Sequence, residues 1–411
     1  MSDSETLVIL GAGHAGGRAA AALRKKGYEG RIQLVGDETD PPYERPPLSK
    51  EALTEGADPL VNRINDEAFY RDNAIELLLG QRAEALDPAA RHVTLERGTE
   101  LGFDRLIFAT GCRARTLPLP GAEHARVLTL RSAADCRRLA PLLKPGAKVV
   151  LIGGGFIGLE IAAGAAKLGC EVTVLEAQQN LLERALAPRV GAFLGKLHRD
   201  AGVDIATGVE VEQIVHGDSG SAVELADGRR FDADLVVLGV GAALNDEIAR
   251  AGGLACDNGI LVDAACRTAA EGVYAIGDVT HHENTHLARR VRLESWENAE
   301  IQADVVAQTI LGEEAACSSV PWFWTDQHGV NLQLLGYGEI WDEEILRGDP
   351  EEGAFTALYL RDGRIVMAAL ANAGRERRPL KQLIEARAEV PAAQLAGSET
   401  SLRDLAKALK K

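Results

Sequence analysis

The chain has 411 residues, 46% of them hydrophobic and 26% charged, a balance expected of about two to four folded domains and not of a disordered chain. A net charge of −16 argues against a nucleic-acid binder, and no run of about 18 apolar residues offers a membrane span. The acidic start Met1-Ser2-Asp3-Ser4-Glu5 lacks the basic opening of a signal peptide, so a cytoplasmic protein is expected. The six cysteines, at 112, 136, 170, 256, 266 and 317, form no CxxC or CxxxxC, and they are expected to be reduced thiols, not a zinc site or a local redox disulfide.

In chain order, Thr6 to Leu10 reads as an apolar strand. Gly11-Ala12-Gly13-His14-Ala15-Gly16 follows, then an Ala-rich helical run to Lys26 capped by Gly27. Arg31 to Val35 is a second strand, ending in Gly36-Asp37-Glu38. The same order recurs later. Lys148 to Ile152 leads into Gly153-Gly154-Gly155-Phe156-Ile157-Gly158, a helical run to Leu168 with Gly169 as cap, and a strand from Glu171 to Leu175 that ends in Glu176. A βαβ unit is therefore written twice. Between the copies, Leu106 to Ala109 is a strand entering Thr110-Gly111, and Leu117-Pro118-Leu119-Pro120-Gly121 is a linker. Leu235 to Gly239 completes the second copy, with Gly241 just beyond it. Gly272 to Asp278 is another strand, ending in Gly277-Asp278. The last stretch alternates strand-like runs (Leu332 to Leu335, Phe355 to Leu360, Arg364 to Leu370) with turns such as Arg361-Asp362-Gly363, then closes with two helical segments, as a separate α+β domain would.

In GxGxxG the first glycine makes the tight turn, the second lets the backbone approach a pyrophosphate, and the third lets helix and strand pack. The helix N-terminus offers unpaired N–H groups to the phosphates. A single such motif competes with a merely structural turn. Here each follows a strand, opens a helix and is followed by an acid, Asp37 21 residues after Gly16 and Glu176 18 after Gly158. Two dinucleotide sites imply two cofactors, naturally a flavin and a nicotinamide. Glu176, followed by Ala177 and Gln178, suits the ribose 2′-OH of NADH and repels a 2′-phosphate, although Arg184 weighs the other way.

The segment Pro41-Pro42-Tyr43-Glu44-Arg45-Pro46-Pro47-Leu48-Ser49-Lys50 resembles the FAD-dependent ferredoxin reductases of oxygenase systems. So do Ala109-Thr110-Gly111, Tyr274 to Asp278, Glu294 to Ala299 and Pro321 to Gln327, in the same order over essentially the whole chain. The resemblance implies an α/β, glutathione-reductase-like flavoprotein with two dinucleotide-binding domains and a C-terminal α+β domain. Its FAD domain would span residues 1–115 and 243–318, its NAD domain 116–242, and its third domain 319–411.

The resemblance also implies roles. Gly11, Gly13, Ala15 and Gly16 would hold the FAD pyrophosphate, with Asp37 or Glu38 on the adenosine ribose and Arg45, beside Pro46, on phosphate. Ala109, Thr110, Gly111, Gly277, Asp278 and Ser295 would line the rest of the FAD site, Trp296 and Trp324 lying against the flavin ring. Gly153, Gly155, Phe156, Ile157, Gly158, Glu160, Glu176, Arg184 and Gly241 would serve NADH. Lys50 and Glu160 would pair beside the reactive flavin atom; the chemistry of the sequence alone favours reading them as exposed helix-end charges, and the resemblance reverses that. The implied activity passes electrons from NADH, through FAD, one at a time to a [2Fe-2S] ferredoxin that serves a cytochrome P450 or a Rieske dioxygenase. Neither nucleic acid, membrane nor metal is expected, and a weak homodimer stays open.

Other readings compete. Rubredoxin reductases and NADH oxidases share the plan, as do nicotinamide-sensing proteins of the apoptosis-inducing-factor type. Thiol-dependent relatives place a redox cysteine soon after the first βαβ unit, and residues 37–50 contain none. His14 reads as a spacer in its loop. Arg375, Arg377, Arg378 and Lys381, or Arg289, Arg290 and Arg292, are candidate docking patches for an acidic ferredoxin.

Overall fold

A computed structural model describes residues 5–183, 185–218, 220–338, 340–397 and 400–409. The chain divides into two compact units. The first contains residues up to 45, 62–113 and 244–323; the second contains 46–61, 114–243 and 324 onward.

The first unit is built on a five-stranded parallel sheet in the order 273–275, 105–108, 6–10, 31–36, 75–79. Strand side chains alternate between faces, and a parallel sheet buries both. Leu7, Ile9, Ile32, Leu34 and Ile107 accordingly face one core, where they meet Ala19, Ala20 and Leu23 of the helix His14–Lys25 and Ala303 and Val306 of the helix Trp296–Ile310. Val8, Leu10, Val35, Leu106 and Phe108 face the other core, shared with Leu86, Val93 and Leu95 of a three-stranded antiparallel sheet, 83–87, 92–95 and 100–102. The small alanines let the first helix lie close over the glycine turn.

The second unit repeats the plan. Its parallel sheet runs 204–207, 171–176, 148–152, 235–238, 127–128, with the helix Phe156–Lys167 following its glycine turn. Gly27 and Gly169 both follow their helices with positive φ, 91° and 82°, as cap positions require. A three-stranded antiparallel sheet, 211–216, 221–225 and 230–233, adds to this unit.

The C-terminal segment forms a five-stranded sheet in the order 322–327, 330–336, 364–371, 354–361, 343–349. Two of its turns have both central residues at positive φ: His328 and Gly329 at 49° and 78°, Asp362 and Gly363 at 51° and 70°. Such turns match the twist of a hairpin. Three short helices, Arg377–Glu385, Ala392–Ala396 and Leu402–Ala408, close the described chain where the sequence reading expects two. Among the described residues no helix is long and apolar enough to cross a membrane.

Candidate dinucleotide sites and the buried Lys50–Glu160 pair

The first glycine loop assigns its three glycines three different physical roles. Gly11 has φ +114°, and a Cβ there would lie 2.1 Å from the Ala109 carbonyl oxygen. A Cβ on Gly16 would lie 1.9 Å from the Gly11 carbonyl oxygen, so the loop and helix touch backbone to backbone. Gly13 is different: a Cβ there would meet only Arg45 Nη2, at 3.4 Å. Its backbone is thus bare where a ligand would approach, and as a glycine N-cap it provides no side chain for the first-turn amides of its helix.

Arg45 adds charge at the same place. It pairs with Glu38 at 2.7 Å and lies over the Tyr43 ring at 5.4 Å, while Tyr43 donates to Glu38 at 2.5 Å. Burial works against the Arg45 charge, yet Glu38, Tyr43 and Asp278 together hold its pKa above the ordinary guanidinium value. A bare backbone turn, a helix N-terminus and a fixed guanidinium fit a pyrophosphate. Between the two candidate acids, Asp37 is exposed, whereas Glu38 is turned toward the loop by Arg45.

Neighbouring segments are tied down by side chains the sequence did not single out. Asn245 donates to the Thr110 carbonyl at 2.9 Å, and Thr110 Oγ1 donates to the Asn245 carbonyl at 2.7 Å, which clamps Ala109-Thr110-Gly111 where the chain leaves and re-enters this unit. Gln302 accepts from the Gly277 amide at 2.6 Å, and Cys112 donates to Asp278 at 3.4 Å. Ser295 acts as N-cap for the helix that Trp296 opens, accepting from the Asn298 amide at 3.1 Å. His14 is more than a spacer: its Nε2 lies 2.6 Å from Glu300, and its ring stands edge-on to Trp296 at 5.5 Å. The ligand atoms of His14, Glu44 and Glu300 lie within 4.8 Å of one another, and Arg18 bridges the two carboxylates.

In the second unit Gly153 has φ +107°, and a Cβ on Gly158 would lie 2.4 Å from the Gly153 carbonyl oxygen. Gly155 is again the open position, its nearest neighbour 3.7 Å away. Ile157 is 47% exposed beside it, an apolar lip on the loop, and Gly241 has φ +97° with open space around its missing Cβ. Glu176 accepts from the Gly154 amide at 2.6 Å and from the Gln178 amide at 2.8 Å, so its carboxylate is fixed at the strand end above the loop. These features fit a second dinucleotide. Arg184 lies outside the described residues.

Besides His14 for Phe156 and Ala15 for Ile157, the two loops differ at a position that lies against the end of the second strand. Strand register sets Leu10 opposite Val35 and Ile152 opposite Leu175, so Gly36 occupies the place of Glu176. A Cβ on Gly36 would meet the Ala12 methyl at 2.5 Å; a Cβ on Gly154 would meet Leu181 at 2.5 Å and the Glu176 carboxylate at 3.1 Å. One unit has Ala12 with Gly36, the other Gly154 with Glu176.

Lys50 and Glu160 both belong to the second unit. Pro46 and Pro47, with φ preset near helical values, start a 3₁₀ turn, Pro46–Ser49, anchored by buried Pro47 and Leu48. The turn leaves Ser49 and Lys50 adjacent. Lys50 Nζ reaches Glu160 Oε1 at 2.9 Å, Ser49 donates to Oε2, and Thr325 donates to Oε1 at 2.6 Å. The Glu160 side chain is 3% exposed, so these are not two solvated helix-end charges. A carboxylate so buried requires a counter-ion and donors, and it has both. Trp296, in the first unit, and Trp324, in the second, are each partly buried. All six cysteines are free, and Cys266 Sγ lies 3.8 Å from Cys317 Sγ in the core.

Parallel sheets, paired glycine loops and a strand-end acid above the second define a flavoprotein of the two-dinucleotide plan. The chain belongs to the pyridine nucleotide-disulphide oxidoreductase family, whose model matches residues 5–303, and a reductase C-terminal model matches 322–406. It is 42% identical over 401 residues to the anthranilate 1,2-dioxygenase system ferredoxin–NAD(+) reductase component of Burkholderia cepacia, covering 97% of this chain and 99% of that one. To the corresponding biphenyl dioxygenase component of Paraburkholderia xenovorans it is 40% identical over 405 residues, covering 98% and 99%. The solved structure of the covalent putidaredoxin reductase–putidaredoxin complex matches with TM-score 0.95 at 36% identity, over 99% of both chains. The family resemblance read from Arg45 to Lys50 and its companion segments therefore holds.

Proposed function

We propose that the chain is an FAD-dependent NADH:ferredoxin reductase, the first electron carrier of an oxygenase system, acting in the cytoplasm. The carrying observation is that one chain holds two glycine loops, each with a bare central glycine at a helix N-terminus. Full-length similarity to ferredoxin–NAD(+) reductase components of dioxygenase systems supports a [2Fe-2S] ferredoxin as acceptor, serving a Rieske dioxygenase or a cytochrome P450. When bound, the flavin accepts an electron pair from NADH and gives electrons up singly.

The chain's own residues bind, orient and hold charge. Gly13, Arg45 and Asp278 hold FAD phosphate and ribityl groups, and Gly155 and Glu176 hold the nicotinamide coenzyme. Lys50 would supply a positive charge to the flavin as negative charge arrives, and Glu160 keeps Lys50 in place. In this reading the FAD domain is 1–115 with 243–318, the NAD domain 116–242 and the third domain 319–411.

Glu176 sets coenzyme choice. Glu176→Ala frees the amides of Gly154 and Gln178 and removes a ribose acceptor, so KM for NADH should rise roughly 10-fold or more. KM for NADPH should stay level or fall, because a repelling charge is gone. Steady-state rates with both coenzymes measure this; an unchanged NADH-to-NADPH preference would contradict it.

The experiment that tests the function is NADH consumption in air, with and without a [2Fe-2S] ferredoxin. Slow turnover alone and fast turnover with ferredoxin is the expected result; fast turnover alone would make oxygen the acceptor. Arg375, Arg377 and Arg378 are exposed and form one candidate dock for the ferredoxin. Charge reversal at Arg377 and Arg378 should raise the ferredoxin KM roughly 10-fold at low salt and leave NADH-driven flavin reduction intact.

A further inference from the structure

A line of buried side chains runs away from Glu160 within the second unit, and the proposed function uses only its start. Thr325 Oγ1 donates to Glu160 Oε1 at 2.6 Å, and Gln327 Nε2 donates to Thr325 Oγ1 at 2.9 Å. Gln327 Oε1 lies 2.9 Å from His198 Nε2, and His198 Nδ1 lies 3.1 Å from His328 Nε2. Thr325 and Gln327 are each 1% exposed and His198 is 0% exposed. Polar groups buried so deeply are costly unless bonded, and here every one has a partner.

With His198 neutral, proton bookkeeping allows one arrangement. Glu160 is the counter-ion of Lys50, so it is a carboxylate and accepts. Thr325 has a single hydroxyl proton, gives it to Glu160 and accepts from the Gln327 amide. Gln327 then presents its oxygen to His198, and an amide oxygen only accepts, so His198 Nε2 carries the proton. His198 Nδ1 is left as the acceptor for His328 Nε2–H. Every donor points toward Glu160. Burial agrees with a neutral His198, since it pushes that imidazole down to about 4 and lowers His328 as well.

Local structure explains why the line is continuous. Thr325 and Gln327 are two apart on the strand Trp322–Gln327 and so share a face. His198 comes from the helix Pro188–Asp200, and His328 from the tight turn that ends the strand, its ring edge-on to His198 at 4.5 Å. The titratable groups facing this line are Lys50 on Glu160 and His328 on His198.

We infer that His198 is a positioning residue for the Lys50–Glu160 pair. Through Gln327 and Thr325 it holds the Glu160 carboxylate in one rotamer against Lys50. The consequence for electron transfer rests on the reading that this pair flanks the flavin; the consequence for Glu160 itself does not.

The test uses the FAD-loaded protein and three variants. His198→Asn removes the donor toward Gln327, His198→Gln keeps an N–H at the same place, and Gln327→Leu breaks the line at its middle. The carboxylate stretching bands of Glu160, assigned by their loss in Glu160→Gln, are followed by infrared difference spectroscopy. Thr325 keeps its hydroxyl in every variant but loses the line that orients it, so its bond to Glu160 weakens and the bands should shift and broaden in His198→Asn and Gln327→Leu and stay at the wild-type position in His198→Gln. If His198→Asn does not fold, the comparison of His198→Gln with Gln327→Leu carries the same contrast. Identical bands in wild type and the folded line-breaking variants would overturn the inference. NADH-driven flavin reduction is measured on the same proteins. Shifted bands with an unchanged rate of flavin reduction would uphold the positioning of Glu160 and overturn the role of the pair beside the flavin.

Discussion

Gly16→Ala is expected to give a protein that loses its fold around the first strand, while Gly13→Ala gives a stable protein that no longer retains FAD. The methyl at position 16 would sit 1.9 Å from the Gly11 carbonyl oxygen and 3.3 Å from Leu34. Gly11 cannot retreat, because the Ala109 carbonyl stands 2.1 Å from its own Cβ position. Relief requires the helix to move off the sheet, at a cost of at least about 3 kcal/mol. The methyl at position 13 meets nothing closer than Arg45 Nη2 at 3.4 Å, and its φ of −88° suits any residue. It would instead occupy the bare backbone that the phosphates must reach. Urea unfolding of the apoprotein reads the first effect, and FAD fluorescence on titration reads the second. A Gly13→Ala protein that binds FAD as tightly as the wild type would remove the loop from the FAD site.

Lys50→Met should slow anaerobic flavin reduction by NADH roughly 100-fold, the scale of removing one preorganised charge from a reacting centre. It should also lower stability by about 3 kcal/mol, because Glu160 then stays buried without its counter-ion. The double variant Lys50→Met/Glu160→Gln separates the two effects. It should recover much of the stability, since the amide oxygen can still accept from Thr325 and the amide nitrogen can donate to the Ser49 hydroxyl oxygen, and little of the rate. Stopped-flow absorbance and denaturant unfolding provide the two measurements. A Lys50→Met protein reduced at the wild-type rate would confine the pair to a structural role.

The features legible in the sequence were those with a local signature. Strand, glycine turn, helix and acid occur within about 30 consecutive residues, and both copies fold as their spacing predicts. The turn at Asp362-Gly363 is equally local. Illegible were contacts made across long separations. Asn245 meets Thr110 across 135 residues, and Thr325 meets Glu160 across 165. Thr325 and Gln327 lie inside a recognisable segment, yet nothing local distinguishes a Thr that bonds a distant Glu from one that faces its own strand partners. His198 sits on the helix Pro188–Asp200, and no local motif sets it apart. The two small antiparallel sheets escaped notice because their strands are short and only weakly alternating, so that pairing partners and not pattern define them. Between Asp37 and Glu38 no counting rule could choose; Arg45, seven residues on, turns Glu38 inward.

The exchange of Ala12 with Gly36 for Gly154 with Glu176 bears on a hazard that any chain with a duplicated cradle faces. FAD and NADH share an adenosine diphosphate half, so two equal cradles would load either molecule in either place, and most of the population would be misassembled. A methyl stands in the first loop where the second has a bare glycine, and a carboxylate projects from the second strand end where the first has none. The two cradles therefore present different shapes and different charge to the adenosine diphosphate half that FAD and NADH share, which is the kind of difference by which one chain can tell two such cofactors apart.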